Sequence, residues 1–362
     1  IVKDRLHVNE KTLWRGKPVS DAHVLDDYEF DQDALEAQRV KMDDKTQGVF
    51  PEGTNYPYGL NAGVKESGAS MGQYQDLGDI YFDFAAAGIT KSVTNYVRDL
   101  DMTTGVSHVD FDHDGVHYSR EYFSSYPDKV MVSHFTASED GKISFAANLD
   151  TSSGYLSTKA TAEGNIMQTS GTISDNGEKW VFLAGIYTEG GTVTANDNGT
   201  ITVTGADEAT VYIRTDTDYE PVYPEYTDNR SIEQLLADAK ATIEAAKAKG
   251  YAAVKQAHIA DHSELFDRVD IDLGGECPSV PTDELMASYR EGGDEKAVEE
   301  MAFQMGRYLT IAASRDGDEL PTNLCGIWLV GNATGYWNAD FHFNVNVQMN
   351  YWPTMVTNLA EW

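Results

Sequence analysis

Apolar and polar residues alternate with a period of two through most of the first 222 positions, in short runs punctuated by Gly, Asn and Asp. That period sends successive side chains to opposite faces of a pleated strand, so each run predicts a strand. Thr200-Ile201-Thr202-Val203 follows Asn198-Gly199, a dipeptide that tolerates the positive φ angles of a tight hairpin. Trp180-Val181-Phe182-Leu183 follows Asp175-Asn176-Gly177, and Thr210-Val211-Tyr212-Ile213 follows another polar turn. Val109 and Phe111, then Val116 and Tyr118, flank Asp114-Gly115 in the same manner. Strands at this spacing, with no long helix between them, predict a large antiparallel β-sandwich. One stretch, Asp31 to Asp44, reads as a short helix.

The pattern changes at Asp228-Asn229-Arg230-Ser231. Ser231 and Gln234 have capping-box spacing, and the Ala-, Leu- and Lys-rich stretch to Lys249 predicts a helix that Gly250 stops. A second helix is predicted over Tyr251 to Arg268. From Lys296 to Ser314, Met301, Met305, Tyr308 and Leu309 share one helical face. Gly306 in that helix costs about 1 kcal/mol relative to Ala, so close packing against a neighbour is expected there. The expected organisation is a β-sandwich over 1–227, a helical linker over 228–275 and the start of a helical domain over 276–362.

The charge narrows the partners. The 362 residues carry 27 Lys and Arg against 59 Asp and Glu, a formal net charge of −32. Clustered cations drive binding to nucleic acid and anionic membranes, so both are disfavoured, whereas neutral ligands such as sugars stay open. No apolar run reaches the roughly 18 residues of a membrane span. The two cysteines, Cys277 and Cys325, are too few for a disulfide scaffold and are not spaced for a zinc or thioredoxin-type site. High acidity with few thiols fits an extracellular or cell-surface bacterial protein.

Three groups of residues invite a chemical reading. Asp110, Asp112, Asp114 and Glu121 have the spacing of a calcium loop, but an EF-hand needs flanking helices and these flanks alternate like strands. An acidic hairpin is the expected reading. His258 and His262, four apart on a predicted helix, share a face, yet Ile259 stands where catalytic zinc helices carry Glu. Packing or capping roles are expected, and the N-x-Ser/Thr sequons at Asn198, Asn229 and Asn332 say little. The third group is His342-Phe343-Asn344-Val345-Asn346-Val347-Gln348-Met349-Asn350-Tyr351-Trp352-Pro353. If extended, this segment shows His342, Asn344, Asn346, Gln348 and Asn350 on one face; if helical from about Asn346, it brings Asn346 and Asn350 together. Amides are costly to bury without partners. Beside Trp337, Tyr351 and Trp352 they fit either a pocket for a polyhydroxylated ligand or an amide ladder that stabilises a loop.

The chain resembles the glycoside hydrolase family 95 α-L-fucosidases, notably the bacterial 1,2-α-L-fucosidases, through separated motifs in matching order. These are Leu6-His7-Val8-Asn9-Glu10-Lys11-Thr12-Leu13-Trp14, Tyr74-Gln75-Asp76-Leu77-Gly78-Asp79, Tyr96-Val97-Arg98-Asp99 and Arg120-Glu121-Tyr122-Phe123. Gly306-Arg307-Tyr308-Leu309, Leu320-Pro321-Thr322-Asn323-Leu324, Gly326-Ile327-Trp328 and the asparagine segment follow. The resemblance implies a β-sandwich, a helical linker and the start of an (α/α)6 barrel. It also implies inverting hydrolysis of terminal α-1,2-linked L-fucose on a fucosylated glycan, with no cofactor and no metal. By motif, Asn344 and Asn346 would position the attacking water, and His342 would contact the sugar. Too few residues follow Gly275 for twelve helices, and the family's general-acid Glu and partner Asp lie beyond the asparagine motif, so a partial enzyme is expected. Two rival readings are a non-catalytic carbohydrate-binding sandwich and a sandwich-plus-barrel phosphorylase.

Overall fold

The computed structural model describes residues 1–16, 72–151, 156, 158–223, 225–275, 279–293, 296–317, 320–331 and 336–361. The helix expected over Asp31 to Asp44, Cys277 and the sequon at Asn332 lie outside the described residues. Strands β1 (Lys3–Arg15), β2 (Gln73–Asp83), β3 (Thr94–Asp101), β4 (Val106–His113), β5 (Val116–Ser125) and β6 (Val130–Ala137) come first. They are followed by β7 (Ile143–Asp150), β8 (Thr161–Glu163), β9 (Ile166–Thr172), β10 (Lys179–Ala195) and β11 (Ile201–Thr217). All pairings are antiparallel, in the order β1-β2-β7-β11-β6-β5-β4-β3, with β10, β9 and β8 extending from the other edge of β11.

One bent hairpin makes this sheet a sandwich. The first part of β11, Ile201–Ala206, pairs with β7, and the second, Glu208–Ile213, pairs with β6. The strand thus leaves one layer and enters the other at a bulge opposite Glu189 and Gly190. Both layers supply one core. Phe82 of β2, Phe145 of β7 and Phe135 of β6 meet edge to face with centroids 5.1 to 5.6 Å apart. Arg120 of β5 is buried across the opening between layers, donating to Asp4 Oδ2 at 2.7 Å and Ile1 O at 2.8 Å, with its guanidinium 3.7 Å from the Phe84 ring centroid. The Asp114-Gly115 turn joins β4 to β5 with φ of 49° and 80°, both positive as the dipeptide predicts.

Alternation also explains how helices attach. Trp180, Phe182, Ala184 and Ile186 of β10 face the sandwich core, whereas Val181 and Leu183 face outward. That outer face is covered by α1 (Ile232–Lys249), whose buried Leu235, Ala239, Ile243 and Ala246 form one stripe. The Ser231 and Gln234 capping box is formed. Helix α2 (Tyr251–Phe266) follows at Gly250 and ends two residues before the expected Arg268. His258 and His262 are buried in it, with Nε2 atoms 3.3 Å from Gly105 O and 2.8 Å from Met102 O. They bind the β3–β4 turn, as a packing role requires.

Helices α3 (Thr282–Arg290), α4 (Lys296–Ala313) and the short α5 (Asn346–Tyr351) complete the helical part. One expectation for α4, close packing at Gly306, fails, and its shared apolar face lies partly in solvent. Met305 and Leu309 are exposed, while Ala297, Val298, Arg307 and Ile311 are buried. Arg307 is drawn inward because it donates to Leu265 O, Phe266 O and Val269 O at 2.9, 2.6 and 3.0 Å, satisfying carbonyls that the end of α2 leaves open. A Cβ at Gly306 would meet open space, so close packing does not explain that glycine.

The corner yields a prediction. Gly191 has φ +65°, and a Cβ there would lie 2.5 Å from Ala206 N and 2.6 Å from Thr204 O. Gly191→Ala should therefore lower unfolding stability by about 2 kcal/mol or more. Chemical denaturation checks this, with Gly306→Ala as the control expected to be neutral or stabilising.

Candidate active site

The asparagine segment sits at the end of a long loop that starts after α4, and β1 and β2 support that loop. Tyr74 donates its hydroxyl to Ile327 O at 3.0 Å, and Asp76 Oδ2 accepts from Gly331 N at 2.5 Å. Trp14 stacks on Phe341 with centroids 4.9 Å apart and leans on Tyr74 at 5.2 Å. His7 is the centre of the contact. Its Nε2 lies 2.5 Å from Leu329 O and 3.1 Å from Asp76 Oδ1, and its Nδ1 is 2.8 Å from Asp79 Oδ1. Asp76 above all, then Asp79 and the Leu329 carbonyl, pull the imidazole pKa up to about 9 against the effect of burial. Both ring nitrogens are then donors.

The loop next makes a left-handed turn. Trp337, Asn338 and Ala339 have φ of 48°, 62° and 50°, a conformation that L residues seldom adopt in succession. The turn leaves Trp337 69% exposed and buries Asp340. Asp340 Oδ1 lies 2.6 Å from His342 Nε2, and burial raises the Asp340 carboxyl above its ordinary range, with His342 opposing. The His342 ring stands 5.1 Å from that of Trp337. Asp340 escaped the sequence reading, although its position two residues before His342 was a usable signal.

The polar row does not form one extended face. The chain is helical from Asn346, the second of the two conformations considered, and the amides divide into two kinds. Gln348 Nε2 donates to Phe343 O at 2.6 Å, and Asn350 Nδ2 donates to Thr322 Oγ1 at 3.0 Å and toward the Thr322 and Asn323 carbonyls. Those two hold the loop. The Tyr351 hydroxyl supports the same strand of loop, lying 2.6 Å from Ser314 Oγ and accepting from Thr322 N at 2.9 Å. Asn344 is exposed and Asn346 half-buried, and among the described residues no hydrogen bond occupies either side-chain amide. The site thus presents an imidazole beside a carboxylate, an indole face and two open amides, which can hold water or sugar hydroxyls.

The acidic hairpin is built differently. Asp110 and Asp112 lie along β4 and Glu121 on β5. Asp112 is 2.7 Å from His117 Nδ1 and accepts from Asn95 at 2.6 Å, while Glu121 accepts from Lys255 at 2.6 Å. Among the described residues no three His, Cys, Asp or Glu side chains converge as a metal site.

Comparison with known proteins joins the two halves. Residues 1–222 match the glycosyl hydrolase family 65 N-terminal domain, and residues 250–362 match the glycosyl hydrolase family 95 catalytic domain. Residues 250–362 are thus similar to a family 95 catalytic domain. The N-terminal domain is of the family 65 type. The chain is 27% identical to alpha-L-fucosidase 2 of Arabidopsis thaliana, over 98% of the chain and 43% of that protein. It is also 27% identical to the probable alpha-fucosidase A of Aspergillus niger, over 99% of the chain and 44% of that protein. The chain therefore spans less than half the length of these relatives. A putative kojibiose phosphorylase from human microbiome aligns in structure over 65% of the chain and 31% of its own, with a TM-score of 0.46 and 12% identity.

The support under the site should depend on pH. His7 titrates near 6.5 when unfolded and near 9 when folded, so its contribution is complete below about pH 6.5 and is lost as pH rises through about 9. Melting temperature should fall over that interval. His7→Gln should lower stability at pH 6 by about 1–3 kcal/mol and flatten the dependence, and the loss should nearly vanish at pH 10.

Proposed function

We propose that the chain is the N-terminal and early catalytic portion of an exo-acting α-L-fucosidase that removes terminal α-1,2-linked L-fucose from glycans with inversion. The observation that carries this reading is the pair of open amides, Asn344 and Asn346, near the exposed Trp337 and the His342 ring that lies against Asp340. Similarity to the Arabidopsis alpha-L-fucosidase 2 and the Aspergillus probable alpha-fucosidase A supports its fucose-releasing part.

In this mechanism Asn344 and Asn346 hold a water against the anomeric carbon through their side-chain oxygens. Inversion requires a base on that water and a general acid on the opposite side, at the leaving oxygen. An amide is a weak proton acceptor, so a carboxylate must act with the asparagines to take up charge, and the acid must be a further carboxyl group. His342 hydrogen-bonds the sugar, and Asp340 acts through it by fixing the ring. Trp337 offers an apolar face to the deoxyhexose. Solvation by fixed dipoles in place of bulk water is the main source of rate here, because it needs little reorganisation in the transition state.

In an enzyme of the length of the relatives, Asn344→Ala and Asn346→Ala should each lower kcat on 2′-fucosyllactose by about 10²-fold or more, with a smaller change in KM. An unchanged kcat removes them from catalysis. Proton NMR should show β-L-fucose as the first product, and release should not require phosphate; a phosphate requirement favours the phosphorylase reading. The 362-residue chain alone should release no fucose.

A further inference from the structure

Away from the asparagine loop, the sandwich meets the helices at a second joint, where three side chains of α2 grip the β3–β4 turn. His262 Nε2 donates to Met102 O at 2.8 Å, Ser263 Oγ donates to Thr103 O at 2.9 Å, and His258 Nε2 lies 3.3 Å from Gly105 O. The turn comes this close because Gly105 has no side chain: a Cβ there would lie 3.2 Å from both rings. Each histidine is only 5% exposed. The two rings stand 6.0 Å apart, with His258 on Phe123 of β5 at 4.8 Å. His262 lies 5.6 Å from Phe266 and 5.8 Å from Tyr308 of α4. The pair therefore ties the turn, β5, α2 and α4 together.

The joint is built for neutral rings. A carbonyl only accepts, so both Nε2 atoms carry the proton, and among the described residues neither Nδ1 makes a hydrogen bond. A second proton would create an unmatched N–H on each ring. It would also set two positive charges side by side with no free counter-charge. Asp261 is taken by Arg315 at 2.6 Å, and Asp101 accepts from Thr103 N and Oγ1 at 2.9 and 2.7 Å. On β5, Glu121 is taken by Lys255 at 2.6 Å, and on α4 burial keeps the Tyr308 hydroxyl protonated. Burial above all, then the neighbouring ring, holds His258 below its usual range; burial lowers His262, against the Met102 carbonyl.

We propose that this joint is acid-released: protonation of His258 and His262 frees the β3–β4 turn from α2 while the sandwich core stays folded. The sense is opposite to that of His7. The histidine pair contributes fully above about pH 6.5 and is lost as pH falls through the lower folded values, whereas His7 holds in acid and lets go near pH 9. Both joints between sandwich and helices are therefore made only in a neutral to mildly alkaline window. No residue of the asparagine loop takes part in the pair, so this device stands apart from the fucosidase reading.

Hydrogen exchange of the 362-residue chain at pH 7.5 and pH 5.0, corrected for intrinsic rates, tests it. Protection of the amides from Asp101 to Val106 should fall at least tenfold at pH 5.0, while that of Trp180 to Ile186 in β10 stays within twofold. In the double variant His258→Gln, His262→Gln the side-chain amides can still donate but do not titrate, so the drop should be under twofold. Ser263→Ala should lower protection of the turn by one factor at both pH values. Histidine-selective ¹⁵N NMR of the unaltered chain needs no variant to fold; it should show both rings as the Nε2–H tautomer at pH 7.5, titrating below pH 6.5. Unchanged protection of the turn at pH 5.0, an equal loss throughout the sandwich, the same drop in the double variant, or a charged ring at pH 7.5 overturns the proposal.

Discussion

The charged imidazole of His7 lies between the carboxylates of Asp76 and Asp79 and reaches the carbonyl of Leu329. Charge-assisted hydrogen bonds of this kind are stronger than neutral ones, and partial burial strengthens them further. With Tyr74 on Ile327 and Asp76 on Gly331, it fixes the backbone of a loop that has little regular structure of its own. The loop then carries the left-handed turn at Trp337–Ala339, a conformation that persists only where its surroundings over-determine it. The sandwich is therefore part of the site. It supplies rigidity that the loop's own sequence does not.

Much of the architecture was legible because it rests on local periodicity. The Asp114-Gly115 hairpin, the Ser231 capping box and the outward Val181 and Leu183 follow from rules that act over a few residues. Where tertiary contacts decide, the local pattern is silent. The apolar face through Met305 and Leu309 points outward, because Arg307 has open carbonyls to satisfy on the neighbouring helix. No period in α4 announces that, since an arginine is buried only when partners await it.

The site was legible in its residues and not in its division of labour. Five polar side chains looked alike in the row from His342 to Asn350. Helix formation at Asn346 separated them, giving Gln348 and Asn350 to the loop backbone and leaving Asn344 and Asn346 open. The loop-stabilising reading thus holds for Gln348 and Asn350, and a ligand role stays open only to Asn344 and Asn346. The supporting residues His7, Trp14, Tyr74 and Asp76 stand hundreds of positions away in sequence, so only folding reveals what they hold.

On the proposed mechanism, two carboxamides on a loop braced by the β domain hold the reacting water beneath a deoxyhexose. A crystal structure of the protein, at the length of its relatives, with an unreactive fucoside bound tests it most directly. The fucose ring should lie against Trp337 and His342, with one ordered water within hydrogen-bond distance of both Asn344 and Asn346 and facing the anomeric carbon. A fucose ring bound elsewhere, or those two amides turned onto the sugar's own hydroxyls with no water between, would contradict it.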